Sequence, residues 1–166
     1  MKAMADDVRR LLVRELEAFA REIELFPDDA AVWRTLPGVA NSAGTLALHV
    51  CGNLKHFVGA VLGGTGYVRD RDGEFSRRGL ARAELLREIR ETIEVVTRVL
   101  PGLGEATLAG AYPQKVVGVE VPCGRWLMHL CAHLAFHLGQ AGYLRRTLTG
   151  DARTSGAVPV PVLGEP

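Results

Sequence analysis

The sequence predicts an all-α four-helix bundle. Two segments, residues 4 to 26 and 82 to 100, repeat apolar side chains at helical spacing with charge between them, which marks helices that bury one face. Two others, about 42 to 62 and 123 to 148, carry almost no charge, which marks helices enclosed on most sides. Proline, glycine and capping residues punctuate all four, and four helices of about 20 residues are the ingredients of a bundle.

The first helix places Val8, Leu12, Leu16, Phe19, Ile23 and Phe26 on one face among arginines and glutamates, and Pro27 ends it. Asn41 and Ser42 offer side-chain oxygens to cap the second, which runs to about Gly63 and the turn Gly63 to Gly66. Lys55 is the only charged residue between Arg34 and Arg69, so this helix belongs at the centre. The next stretch, 64 to 81, is long enough at 18 residues to cross the bundle, since it can span roughly 60 Å, and helices two and three can therefore run parallel. Its YVRDRDGEF portion, 67 to 75, alternates opposite charges and reads as a solvated, self-paired connector; the competing reading turns Arg69 or Arg71 toward an anionic substrate at the bundle mouth.

Helix three sets Leu85, Ile89, Ile93, Val96 and Leu100 against a charged outer face until Pro101. Between it and helix four, residues 107 to 121 include the alternating Val116 to Val121, which predicts a short β-hairpin or an extended connector. Helix four has no Asp, Glu, Lys or Arg from Trp126 to Leu144. Residues 1–150 thus form one domain, and the Pro-, Gly- and Val-rich 151–166 is expected to be an extended tail.

Composition narrows the function classes. At 166 residues and 48% hydrophobic the chain supports a single full core. Its formal charge of +1 leaves no basic surplus for a nucleic-acid backbone. The uncharged run from 42 to 62 contains His49, Asn53, His56 and several glycines, which favours a buried helix over a membrane span. The opening MKAMADDVRRLLVRELEAF lacks an apolar signal core, so a cytoplasmic location is expected. Cys51, Cys123 and Cys131 are odd in number without a CxxC spacing, and Cys51 and Cys131 point about 200° away from histidines two residues distant, so they read as buried thiols rather than ligands.

The histidines carry the chemistry. Imidazoles on otherwise apolar helices are costly to bury unless their lone pairs are bound. Residues four apart on a helix differ by about 40° in direction and 6 Å along the axis, so two such rings can converge on one ion. His133 and His137 meet this condition, and so do His129 and His133, whereas His129 and His137 lie about 12 Å apart and cannot easily share a metal. His49 belongs to the other central helix, and Thr45, Asn53 and His56 share its face. Asn53, His56, His129 and Gln140 are read as candidates for lining a pocket or supporting ligands from behind, against the plainer reading that they satisfy backbone or neighbouring groups.

NSAGTLALHVCGNLKHF at 41 to 57 and HLCAHLAFHLGQAGYL at 129 to 144 resemble the helix-two histidine and the helix-four H-x3-H followed by Gly-Gln of the DinB-like superfamily, which includes thiol-dependent transferases. The resemblance runs from about residue 4 to 148. It implies an up-down-down-up bundle, commonly a homodimer, with a zinc, nickel or similar divalent ion on His49, His133 and His137, and it leaves His129 as an extra histidine. Leu138 stands where the family often has an arginine before Gly-Gln. The implied activity is an S-transferase joining a low-molecular-weight thiol to a small electrophilic substrate. Its rivals are a metal-dependent hydrolase or isomerase, in which water replaces the thiol, and a non-enzymatic, stress-related metal-binding dimer.

Overall fold

A computed structural model describes residues 2–155, with side chains from residue 4 onward. Helices α1 (Lys2–Glu24), α2 (Ala43–Leu54), α4 (Arg82–Val99) and α6 (Cys123–Thr149) form the bundle, and the short α3 (Arg71–Ser76) and α5 (Glu105–Ala109) occupy its connections. Each long helix starts and stops for a local reason. Ser42 caps α2 by accepting from Thr45 N at 3.1 Å. Pro101 in the 3-10 turn Leu100–Gly102 stops α4, and Gly150 ends α6 in the left-handed conformation at φ 69°. The second helix continues past Leu54 as a π-helix, Lys55–Leu62, so its predicted end near Gly63 holds while its winding changes.

Side-chain contacts fix the directions. Met4 lies against Gly124 and Glu22 against Gly142, so α1 and α6 are parallel. Lys55 meets Glu88 and Glu91, Gly59 meets Val95 and Gly63 meets Val99, so α2 and its extension run parallel to α4. His49 contacts His133 while Phe57 contacts Trp126, which makes α2 and α6 antiparallel. The order is therefore up-down-down-up, with 64 to 81 as the crossover. Leu12, Leu16, Phe19 and Ile23 of α1, Leu54, Leu85 and Ile89 of the parallel pair, and Leu127 and Leu130 of α6 are sealed in one core.

Two connections differ from expectation. The predicted hairpin closes through two isolated antiparallel bridges, Ala111 with Pro122 and Val116 with Val119, and no strand forms among the described residues. Val117 and Gly118, both at positive φ, make the turn at its tip. No sheet lies beside these residues to extend the ladder, and residues 107 to 109 are spent in α5. The charged crossover is not a solvated connector: α3, capped by Asp70 accepting from Gly73 N at 2.8 Å, packs on α2 and buries Glu74. Of the expected tail, residues 151–155 have no regular structure and are held by Arg145 and Glu22, while 156–166 lie outside the described residues. No helix among the described residues is long and apolar enough to cross a membrane.

Candidate metal centre

Antiparallel packing of α2 on α6 brings His49 opposite the i, i+4 pair His133 and His137. The Nε2 of His133 lies 3.2 Å from Nε2 of His49 and 3.1 Å from Nε2 of His137, and one potential ligand atom from each ring falls within 4.8 Å of the others. Nitrogens bound tetrahedrally to one ion at about 2.1 Å would stand about 3.4 Å apart, close to the 3.1 and 3.2 Å separations from His133. His49 is buried and the α6 pair is half-buried, so the cluster sits at the edge of the core with one side toward solvent.

The back of each outer ring is held. His49 Nδ1 lies 3.0 Å from Oε2 of Glu74, which as a carboxylate can only accept; Nδ1 therefore carries the proton and Nε2 keeps its lone pair. The longer 3.5 Å approach of Arg69 Nη2 to the same nitrogen is secondary, because that group donates to Glu74 Oε2 at 2.8 Å. His137 Nδ1 is similarly 2.8 Å from Gln140 Oε1. Two lone pairs thus face His133 Nε2, which has at most one proton to give. A cation would engage all three nitrogens, so the donor set fits a divalent metal.

Protonation is disfavoured where the rings meet. Burial, followed by the neighbouring His137 and His49, pushes His133 down to about 4. Burial also lowers His137, partly opposed by its bond to Gln140. For Glu74 burial raises the pKa, but hydrogen bonds from Arg69 and then His49 outweigh it and hold the carboxyl below its ordinary range.

Glu74 is the residue that sequence reasoning missed, and Arg69, weighed there as a group reaching toward an anionic substrate, instead holds this carboxylate. Arg69 grips the carboxylate through Nε at 2.7 Å and Nη2 at 2.8 Å, and Phe75 sets its ring 4.8 Å from that of His49. Gly52 makes this possible, because a Cβ there would collide with the Glu74 carboxylate. The signal in the sequence was a glycine one turn beyond His49 and an acid inside a dense charge run, neither of which identifies the other. Arg69 consequently faces a carboxylate of its own chain, and Arg71 stacks over Phe75.

The remaining candidates separate. Gln140 supports His137 from behind, as above. Asn53 is buried one turn beyond His49, and its Oδ1 has no hydrogen-bond partner. His56 lies about 10 Å further along the helix axis than His49 and instead bonds Gln114 at 3.2 Å through Nε2. His129 is exposed and stacks on Trp126 at 4.8 Å, outside the three-ring cluster. Cys51 is fully buried, with its thiol pushed up to about 12, and burial likewise raises Cys131 to about 11, so neither is a ready nucleophile.

Fold and site together define a helical-bundle protein with a three-imidazole cluster between antiparallel helices. The chain belongs to the DinB superfamily, whose family model matches residues 11–141 and so spans all four long helices. Members of this superfamily are generally metal-binding. No curated protein and no solved structure matches the chain.

Proposed function

We propose that the protein is a divalent-metal-dependent S-transferase, with His49, His133 and His137 as ligands for zinc or nickel and with a low-molecular-weight thiol as cosubstrate. The observation that carries this reading is the convergence of three Nε2 atoms whose opposite nitrogens, in two of the rings, are already engaged by Glu74 and Gln140. Three neutral protein ligands leave room for an exogenous group. When bound, a divalent ion there supplies Lewis-acid chemistry that lowers the pKa of a thiol. The chain's part is to hold the rings: Glu74 and Arg69 fix the tautomer and tilt of His49, Gln140 fixes His137, and the helical spacing fixes His133 against both.

A hydrolase or isomerase needs a carboxylate or similar base free to accept a proton. Both Glu74 oxygens already accept bonds from Arg69 or His49, and its pKa is depressed, so it is poorly suited to that role. Cys51 and the half-buried Cys131, both with raised thiol pKa values, supply no ready alternative nucleophile, which supports an external thiol. We further assign a homodimer, formed through the outer face of α6, where Met128 and Phe136 are 54% and 62% exposed and lie within about 80° of each other around the helix.

The test joins elemental analysis of the purified protein with a conjugation screen of electrophiles in the presence and absence of small thiols. One metal per chain and thiol-dependent turnover are expected. Turnover without any thiol would reject the transferase reading in favour of hydrolysis or isomerisation. Loss of thermal stability on chelation, with no turnover under any condition, would leave a non-enzymatic metal-braced protein.

A further inference from the structure

A cavity of about 410 Å³ opens beside the histidine cluster, between the loop before α2 and the C-terminal half of α6. Its volume falls in the range of small-ligand sites, roughly 300 to 1,000 Å³. Leu36, Val39, Leu46 and Leu144 supply its apolar wall, Asn41 and Gln140 its polar edge, and among the described residues no charged side chain lines it. Val39 is 40% exposed, an apolar side chain left at the rim by the fold.

Its position is what gives it meaning. Leu46 lies three residues before His49 on α2 and Gln140 three residues after His137 on α6, so the cavity begins about 5 Å along both helices from the imidazoles. Gln140 belongs to both places, with its side-chain oxygen on His137 Nδ1 and its residue in the cavity wall. We propose that this cavity binds the uncharged, mainly apolar portion of the electrophilic substrate and presents its reactive end to the cluster. This deepens the S-transferase reading and rests on it only for the word electrophilic. Anionic and cationic substituents are disfavoured within the cavity, because nothing in its wall compensates a desolvated charge.

A homologous series of 1-alkanols from butanol to octanol, which lack a strong metal ligand, tests the cavity alone. Binding to the full-length protein, metal-free and zinc-loaded, is followed by amide chemical shifts. The expected result is perturbation at Leu46, Leu144 and Thr147, with affinity rising about fourfold per added methylene in both forms. Val39→Asp and Thr147→Asp, both at exposed positions, should weaken octanol at least tenfold while preserving the spectrum of the free protein. Affinity independent of chain length, or shifts confined to the distant surface around Met4 and Met128, would overturn the proposal. The 1-alkanethiol of matching length then separates the two readings. If it binds no tighter than the alkanol to zinc-loaded protein, metal activation of thiols fails while the cavity stands; if it binds zinc-loaded protein far more tightly while the alkanols show no dependence on chain length, the cavity fails while thiol activation stands.

Discussion

Glu74 provides the sharpest test of how the cluster is held. The residue is 1% exposed and its carboxylate receives three bonds, from Arg69 Nε at 2.7 Å, Arg69 Nη2 at 2.8 Å and His49 Nδ1 at 3.0 Å. Glu74→Gln keeps the shape but leaves one acceptor oxygen where two were used, and it removes the charge that makes His49 a better ligand. Loss of such an outer carboxylate typically lowers metal affinity roughly 10- to 100-fold, or about 1.4 to 2.7 kcal/mol. A separate stability loss of about 1 to 3 kcal/mol is expected, since the half-buried Arg69 loses its counter-charge. The two are measured independently, by competitive metal titration against a chromophoric chelator and by urea unfolding of the metal-free protein. Gly52→Ala adds a second perturbation that changes no ionisable group: its methyl displaces Glu74 from His49, although alanine is the better helix former by about 1 kcal/mol. If both variants retain metal affinity within about twofold of the wild type, the assignment of Glu74 as the residue that positions His49 is wrong.

Other perturbations address the rest of the molecule. His133→Ala and His137→Ala should each abolish stoichiometric metal, whereas His129→Ala should retain most of it, and equal loss in all three by elemental analysis would refute the ligand choice. Because the folded pKa of His133 is depressed from 6.5 to about 4, the unfolded chain takes up protons first on acidification; the metal-free protein should therefore be most stable above pH 6.5 and lose stability as pH falls toward 4. The depressed carboxyl of Glu74 acts in the same direction below its ordinary pKa of 4.5, so urea midpoints should fall with pH across this range, and midpoints unchanged from about pH 7 to 4 would refute both assignments. Arg145, fully buried and bonded to Glu22 at 2.6 Å, should cost about 3 to 5 kcal/mol when changed to Met, with metal binding intact in the fraction that folds, because the buried Glu22 carboxylate loses its nearest counter-charge and is left with the more distant Arg146 at 3.8 Å. Phe136→Glu should turn the proposed dimer into monomers by light scattering with the fold preserved; an unchanged mass would refute the proposed α6 contact.

Much of this architecture was legible because helices announce themselves through spacing. The amphipathic repeats of α1 and α4, the proline stops and the uncharged runs of α2 and α6 are local signals, and each long helix begins or ends within a few residues of its expected limits. The π-helical turn after Leu54 was not legible, since its winding depends on how Gly59 and Gly63 sit against Val95 and Val99 of a different helix. The hairpin failed as a ladder for the opposite reason: alternating valines express a strand preference, but strands need a neighbour, and the bundle offers none there.

Within the site, the four-residue interval between His133 and His137 is written into the chain, because the geometry of one α-helix converts that interval directly into adjacent rings. Spacing left His129 and His137 equally placed to join His133; the packing of α2 decided between them by setting His49 beside His137. Tertiary structure alone also brought Glu74 across 25 residues onto His49, into the space that the missing side chain of Gly52 leaves open. Local sequence governs torsion and periodicity, whereas the pairing of a buried acid with a distant imidazole depends on where two surfaces meet, and that is settled only when the whole core closes.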